Sequence, residues 1–230
     1  MAGRGGRTGG ASGRQGRAAL RPLLHGDSLF PVEVPAVRIA GVDEAGRGSL
    51  AGPVVAAAVI LPADAVIPGL ADSKLLRPRT RERLAEVIGA ACVAWSVAAV
   101  EAAEIDATNI LRATLAAMAR AVEGLASQPA LVLVDGNVTP RLSMPVRAIV
   151  QGDRRVAAIS AASILAKVTR DRLMEAWSRQ FPRYGFAQHK GYGTALHRAN
   201  IARYGPTPIH RRTFAGVREH VRLPVQGSLW

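Results

Sequence analysis

Apolar residues in this chain fall into short runs separated by polar and glycine-rich stretches, and the runs switch between two spacings. Val37 to Val42 (VRIAGV) and Val54 to Leu61 (VVAAAVIL) are apolar, partly β-branched and bounded by Gly and Pro, the pattern of strands buried within a sheet. Arg79 to Ala91 reads as a helix and Cys92 to Val100 (CVAWSVAAV) as a third strand. Ile105 to Leu125 reads as one long amphipathic helix, with Ile105, Ile110, Leu111, Leu115, Met118 and Val122 on one side and Gly124 and Pro129 marking its end. Ala130 to Val134 and Val146 to Val150 complete the strands, and Val156 to Gln180 is a helix leading into a basic C-terminal segment. The order predicts an α/β fold, a mixed sheet flanked by helices, with a C-terminal helical extension. The short connection from Asp43 to Val54 predicts a hairpin and so argues against an all-parallel sheet.

Charge changes the picture at both ends. The chain has 230 residues with 30 Lys and Arg against 17 Asp and Glu. Arg4, Arg7, Arg14, Arg17 and Arg21 face only Asp27 in the first 30 residues, a Gly-rich stretch expected to be a disordered tail. Between Arg179 and Arg222 nine Lys and Arg face only Glu219 and are interleaved with Tyr184, Phe186, Tyr192, Tyr204 and Phe214. Cations among rings suit phosphates and bases or sugars, or equally a solvated face over packed aromatics. The expected division is a tail over 1–30, a domain over 31–222 whose basic segment starts near 178, and a flexible tail over 223–230. The longest apolar runs are far shorter than the roughly 20 residues that span a bilayer, the N-terminus has no apolar signal core, and the single Cys92 pairs with nothing. A cytoplasmic protein, monomeric and without a membrane partner, is expected.

Carboxylates recur where strands end: Asp43 and Glu44 after VRIAGV, Asp135 after ALVLV, Asp153 after VRAIV. One such residue is ordinarily a turn former or helix cap. Several gathered at one sheet edge would repel one another unless a cation intervened, and hard oxygen donors select Mg²⁺ or Mn²⁺ over zinc. Adjacent strand residues point to opposite faces. Asp43 and Glu44 therefore serve one site with both side chains only if the strand has ended; otherwise Glu44 offers its carbonyl or sits across a metal pair. Gly46-Arg47-Gly48 follows, and Gly52-Pro53 closes the loop. The glycine spacing is too wide for a dinucleotide fingerprint and no helix follows. The glycines instead allow close backbone approach to a ligand, with the Arg47 guanidinium alongside for phosphate.

IAGVDEAGRGSLAGPVVAAAVIL, Asp72-Ser73-Lys74, LVDGN, QGD followed by ISAASILAKVTRD, YGFAQHKGYGTALH and YGPTPIHRRTF, in this order, resemble bacterial ribonuclease HII over roughly Val37 to Phe214. The resemblance implies a ribonuclease H-like fold and hydrolysis of RNA within RNA/DNA duplexes by two divalent ions, Mg²⁺ or Mn²⁺. It places the four metal-binding catalytic acids on Asp43, Glu44, Asp135 and Asp153. The motif meeting the ribonucleotide 2′-hydroxyl falls on Gly46, Arg47 and Gly48, and the tyrosine that senses the RNA–DNA junction falls on Tyr192. Lys74, Ser163 and Lys167 match phosphate or substrate-strand positions. Implied activity includes nicking 5′ to single ribonucleotides embedded in DNA, in support of ribonucleotide excision repair. The related ribonuclease HIII carries an additional N-terminal domain, for which the Gly/Arg tail is too short and too poor in apolar residues. Ser49 stands where the family pattern GRGPLAGP has proline. His189, His197 and His210 have cationic neighbours and are expected to organise the basic segment. Gln226 to Trp230 (QGSLW) resembles the peptide by which bacterial repair proteins dock on the sliding clamp.

Overall fold

The computed structural model describes residues 38–70 and 76–221. The Gly/Arg-rich tail, Lys74 and Gln226 to Trp230 lie outside these. Five strands, β1 (Ile39–Ala45), β2 (Val54–Ile60), β3 (Ala94–Val100), β4 (Leu131–Asp135) and β5 (Val146–Ile149), form one mixed sheet in the order β3-β2-β1-β4-β5. β1, β2 and β3 pair antiparallel in succession, whereas β4 runs parallel to β1 and β5 parallel to β4. The expected hairpin is the β1–β2 connection. Helices are α1 (Pro78–Ala91), α2 (Ala102–Ala107), α3 (Ile110–Glu123), α4 (Gly152–Arg155), α5 (Ala157–Gln180), α6 (Phe186–His189) and α7 (Ala195–Tyr204). None is long and apolar enough to cross a membrane.

Both faces of the sheet are covered, and all seven residues of β2 are buried. One face packs Ala57, Val59, Leu131 and Leu133 against α5 and against Leu84 and Ile88 of α1. The other packs Ala40, Val42, Ala56, Ala58, Val132 and Val134 against Ala113, Ala117, Met118 and Ala121 of α3. A smaller third cluster joins Leu50 and Ala51 of the hairpin loop to Met174, Phe186, Ile201 and Ile209. The C-terminal extension is thereby moored to the loop that follows the first two carboxylates.

Two expectations are corrected. The span from Ile105 to Leu125 is two helices: Thr108 leaves helical geometry, its hydroxyl donating to the Glu104 carbonyl, and Asn109 caps α3 by accepting from the Arg112 amide at 2.9 Å. Short polar side chains bonding to nearby backbone compete with a continuous helix. Cys92 caps the end of α1 and is not a strand residue. It packs beside the α5-side core, where burial raises its thiol pKa.

Where β1 crosses beneath α5 the two backbones nearly touch. A Cβ on Gly41 would stand 2.2 Å from the Ala158 carbonyl carbon and 2.3 Å from the Ile159 nitrogen. Gly41→Ala must therefore lift β1 from α5, and a loss of about 1–3 kcal/mol is expected from denaturant unfolding, with reduced catalysis because Asp43 lies two residues on along the same face.

Candidate active site

Asp43 and Asp135 are brought to one face by the strand pleat. Val42, Val132 and Val134 pack on the α3 side, so their neighbours Asp43 and Asp135 face α5, from adjacent parallel strands. Asp43 is 4% exposed, accepts the Glu44 amide at 2.7 Å and accepts the Ser163 hydroxyl from α5. Burial, then Glu44, and to a lesser degree Asp135, hold its carboxyl well above the usual carboxylate range. β1 continues through Ala45, which pairs with Val55, so the strand has not ended and Glu44 projects from the opposite side of the pleat. Its carboxyl is raised too, by burial first, against the opposing effect of Arg47, whose guanidinium lies 3.3 Å away; Asp135 adds to the rise. Asp135 accepts the Gly152 amide at 2.7 Å, and Asp153, 5% exposed, is the next residue on α4. A Cβ at Gly152 would stand 2.6 Å from Ile159 and 3.4 Å from the Asp135 carboxylate, so glycine is what lets α4 close on Asp135. Among the described residues no three Asp, Glu, His or Cys side chains form a preassembled metal cage. The donor set nonetheless fits hard divalent cations: carboxylates held above their usual range by burial and by neighbouring acids, as at Asp43 and Glu44, are stabilised by added positive charge.

The loop after these acids is held by two arginines with 0% exposure. Arg170 of α5 donates to the carbonyls of Pro53 (2.9 Å), Ala51 (3.0 Å) and Lys190 (2.8 Å). Arg211 donates to those of Gly46 (2.7 Å), Arg47 (2.8 Å) and Gly52 (3.0 and 3.1 Å). Gly46 has φ +97°, and a Cβ there would lie 2.0 Å from Arg170 Nε, so its glycine is demanded from within. Gly48 differs: it is exposed and a Cβ would meet nothing within 4 Å.

The same loop is stitched to Tyr192. Ser49 bridges Tyr192, and the Leu50 amide donates to the Gly191 carbonyl at 2.8 Å. The Tyr192 ring is 40% exposed, with the Arg170 guanidinium 5.6 Å and Lys167 Nζ 5.9 Å from its centroid. Lys167 is also paired with Asp171 at 2.6 Å. The structure thus gathers Asp43, Glu44, Asp135, Ser163 and the 46–48 loop with Tyr192 and Lys167 around the ends of β1 and β4. The Ser49 hydroxyl is buried without a hydrogen-bond partner, a cost of about 1–3 kcal/mol that the proline of the family pattern would not bear.

A profile described as Ribonuclease HII matches residues 40–217. Over 195 residues the chain is 56% identical to ribonuclease HII of Bordetella avium, covering 85% of this chain and 95% of that relative. The chain belongs to the ribonuclease HII family. It is accordingly a hydrolase acting on the RNA of RNA/DNA hybrids. Solved structures agree in fold: ribonuclease H2 of Pyrococcus horikoshii is 29% identical with TM-score 0.67, covering 79% of this chain and 95% of that one. Ribonuclease HII of Archaeoglobus fulgidus, solved in complex with PCNA, is 27% identical with TM-score 0.62, covering 75% and 91%.

The histidines organise the basic segment through a single relay. Thr207 donates its amide to His210 Nδ1 at 2.9 Å, which assigns the proton of His210 to Nε2. That nitrogen meets His197 Nε2 at 3.0 Å, and His197 Nδ1 in turn donates to the Tyr192 carbonyl at 2.9 Å. His189 stacks on His197 with ring centroids 4.3 Å apart, accepts from the Gly191 amide and donates to the Tyr184 carbonyl. Arg170, Arg211, the relay and Asp106, which accepts the amides of Arg212 and Thr213, are absent from the sequence-based site. The signal was present in the runs KVTRD and PIHRRTF, but an arginine in a basic segment reads as a surface cation.

Burial, aided by the neighbouring histidine charges, lowers His197 to about 4 and His210 to about 3. Both rings stay neutral in the fold and take up protons more readily when it opens, near 6.5. Their contribution to stability is complete above that pH and is lost as pH falls through it toward 4 and 3. His197→Gln is expected to be less stable at pH 7 yet to lose less stability between pH 6.5 and 4, measured by denaturant unfolding at each pH.

Proposed function

We propose that this enzyme nicks duplex DNA on the 5′ side of a single embedded ribonucleotide, leaving 5′-phosphate and 3′-hydroxyl ends, and so supports removal of misincorporated ribonucleotides in the cytoplasm. One juxtaposition carries the reading: the buried Asp43 and the half-buried Asp135, on adjacent parallel strands, stand beside a loop whose Arg47 and Gly48 are exposed and which is bridged to a half-exposed tyrosine. Asp43, Glu44, Asp135 and Asp153 would hold two divalent cations, Mg²⁺ or Mn²⁺. Such ions, when bound, acidify a water nucleophile and offset charge building on the phosphate.

The chain's own residues supply orientation and selectivity. Ser163 and the Glu44 amide fix the Asp43 carboxylate, and the Gly152 amide fixes that of Asp135. Gly48 leaves room for a ribose to reach the backbone of Gly46, Arg47 and Gly48, where amides and carbonyls recognise a 2′-hydroxyl that both donates and accepts. Arg47, Lys167 and Lys74 offer cations to flanking phosphates. Tyr192 packs on the sugar of the following nucleotide, where a second 2′-hydroxyl would obstruct it, which favours a ribonucleotide followed by DNA. The basic extension covers the phosphate backbone.

Purified protein with Mg²⁺ or Mn²⁺ is expected to nick a duplex carrying one ribonucleotide and to leave an all-DNA duplex intact; no nicking of the first would refute the reading. Asp135→Asn is expected to abolish turnover while duplex affinity, measured by anisotropy, stays close to wild type; retained activity would remove Asp135 from the site. Gln226 to Trp230 is proposed to dock on the bacterial sliding clamp, a reading supported by the PCNA complex of the archaeal relative. Removal of these five residues should abolish clamp binding in a pull-down with purified clamp and leave nicking of free duplex unchanged.

A further inference from the structure

Arg211 lies behind the substrate-facing loop and meets neither the carboxylates nor open surface. We infer that Arg211, with the adjoining His210, is a positioning residue that aims the 46–48 backbone at the ribose and locks it to Tyr192, setting selectivity for a ribonucleotide followed by DNA. The inference rests on the reading that residues 46–48 and Tyr192 contact the substrate.

The aiming follows from peptide geometry. In a trans peptide the N–H points away from the C=O of the same plane, and there is no cis peptide among the described residues. Arg211 draws the carbonyls of Gly46 and Arg47 inward at 2.7 and 2.8 Å. The amides sharing those planes, of Arg47 and Gly48, are thereby turned outward, on the exposed side of the loop. A planar fork holds several carbonyls at once in fixed directions, which the compact, freely rotating ammonium of lysine does not reproduce.

The locking follows from what flanks Arg211. Its amide donates to the Leu50 carbonyl at 2.9 Å, and Ala51 bridges His210. The His210 ring starts the relay that ends on the Tyr192 carbonyl. Asp106 accepts the next two amides, Arg212 at 2.7 Å and Thr213 at 3.0 Å, anchoring the dipeptide to α2. The loop and Tyr192 therefore move together or not at all.

The test is Arg211→Lys, which keeps the charge and the stem but loses the fork. On a single-ribonucleotide duplex kcat is expected to fall about a hundredfold, as misplacement by an ångström commonly costs, with KM changed far less. Cleavage of a continuous RNA/DNA hybrid should fall less, so the preference for the embedded ribonucleotide shrinks. Without substrate, the Leu50, Gly52 and Tyr192 amides should exchange with deuterium about tenfold faster. Unchanged exchange and unchanged preference in the folded variant would overturn the inference. Gly48→Ala, which meets no protein atom, separates it from the underlying reading: wild-type cleavage by this variant would remove the loop from the substrate, while amide exchange in Arg211→Lys would still decide whether Arg211 positions it. Should Arg211→Lys fail to fold, native-state exchange of the wild type decides: the Leu50, Gly52, Tyr192 and Arg211 amides are expected to open with one common free energy, and separate openings would contradict the coupling.

Discussion

Two guanidinium groups sealed inside the protein and facing backbone carbonyls are the constraint on which the site depends. A buried charge is costly unless it is fully hydrogen-bonded. Arg170 and Arg211 meet that demand almost wholly with carbonyls of residues 46–53 and 190, which fixes a glycine-rich hairpin loop that would otherwise have many conformations. Burial, and the proximity of Arg170, lower Arg211 to about 9, still cationic at neutral pH. The loop directly after Asp43 and Glu44 is therefore backed by two cations and cannot drift from the acids it follows.

The sheet explains why the acids sit where they do. A hairpin on one side of β1 and a parallel neighbour on the other bring the ends of β1 and β4 together, and the pleat turns Asp43 and Asp135 toward α5. The closeness of β1 to α5 at Gly41 sets how far Ser163 must reach to meet Asp43. The C-terminal extension is joined to this part of the fold through the hairpin loop and through α5, whose Arg170 reaches the Lys190 carbonyl and whose Ser163 meets Asp43. In the proposed function the chemistry rests on the strands, and the reading of the sugar rests on backbone held from behind by Arg170 and Arg211.

The strand runs, the hairpin and the long α5 were legible because buried strands leave continuous apolar runs and α5 keeps a sustained helical stretch; the placement of Asp43 and Asp135 on adjacent strands was legible because acids interrupt such runs. The face taken by Glu44 was not, since it depends on whether β1 ends at Asp43 or at Ala45, and only pairing to Val55 decides that. Nor was the break at Thr108 and Asn109, where two side chains outcompete an otherwise unbroken apolar stripe. Arg170, Arg211 and the histidine relay were hidden for another reason: their partners are carbonyls and one another, which carry no sequence signature.

The most direct measurement is nitrogen-detected NMR of the arginine side chains. Arg170 and Arg211 are expected to give guanidinium protons that exchange slowly with water and Nη groups that rotate slowly, unlike the exposed arginines. Fast exchange and free rotation at both would mean that the loop is not held from behind, and the site would need another origin for its order.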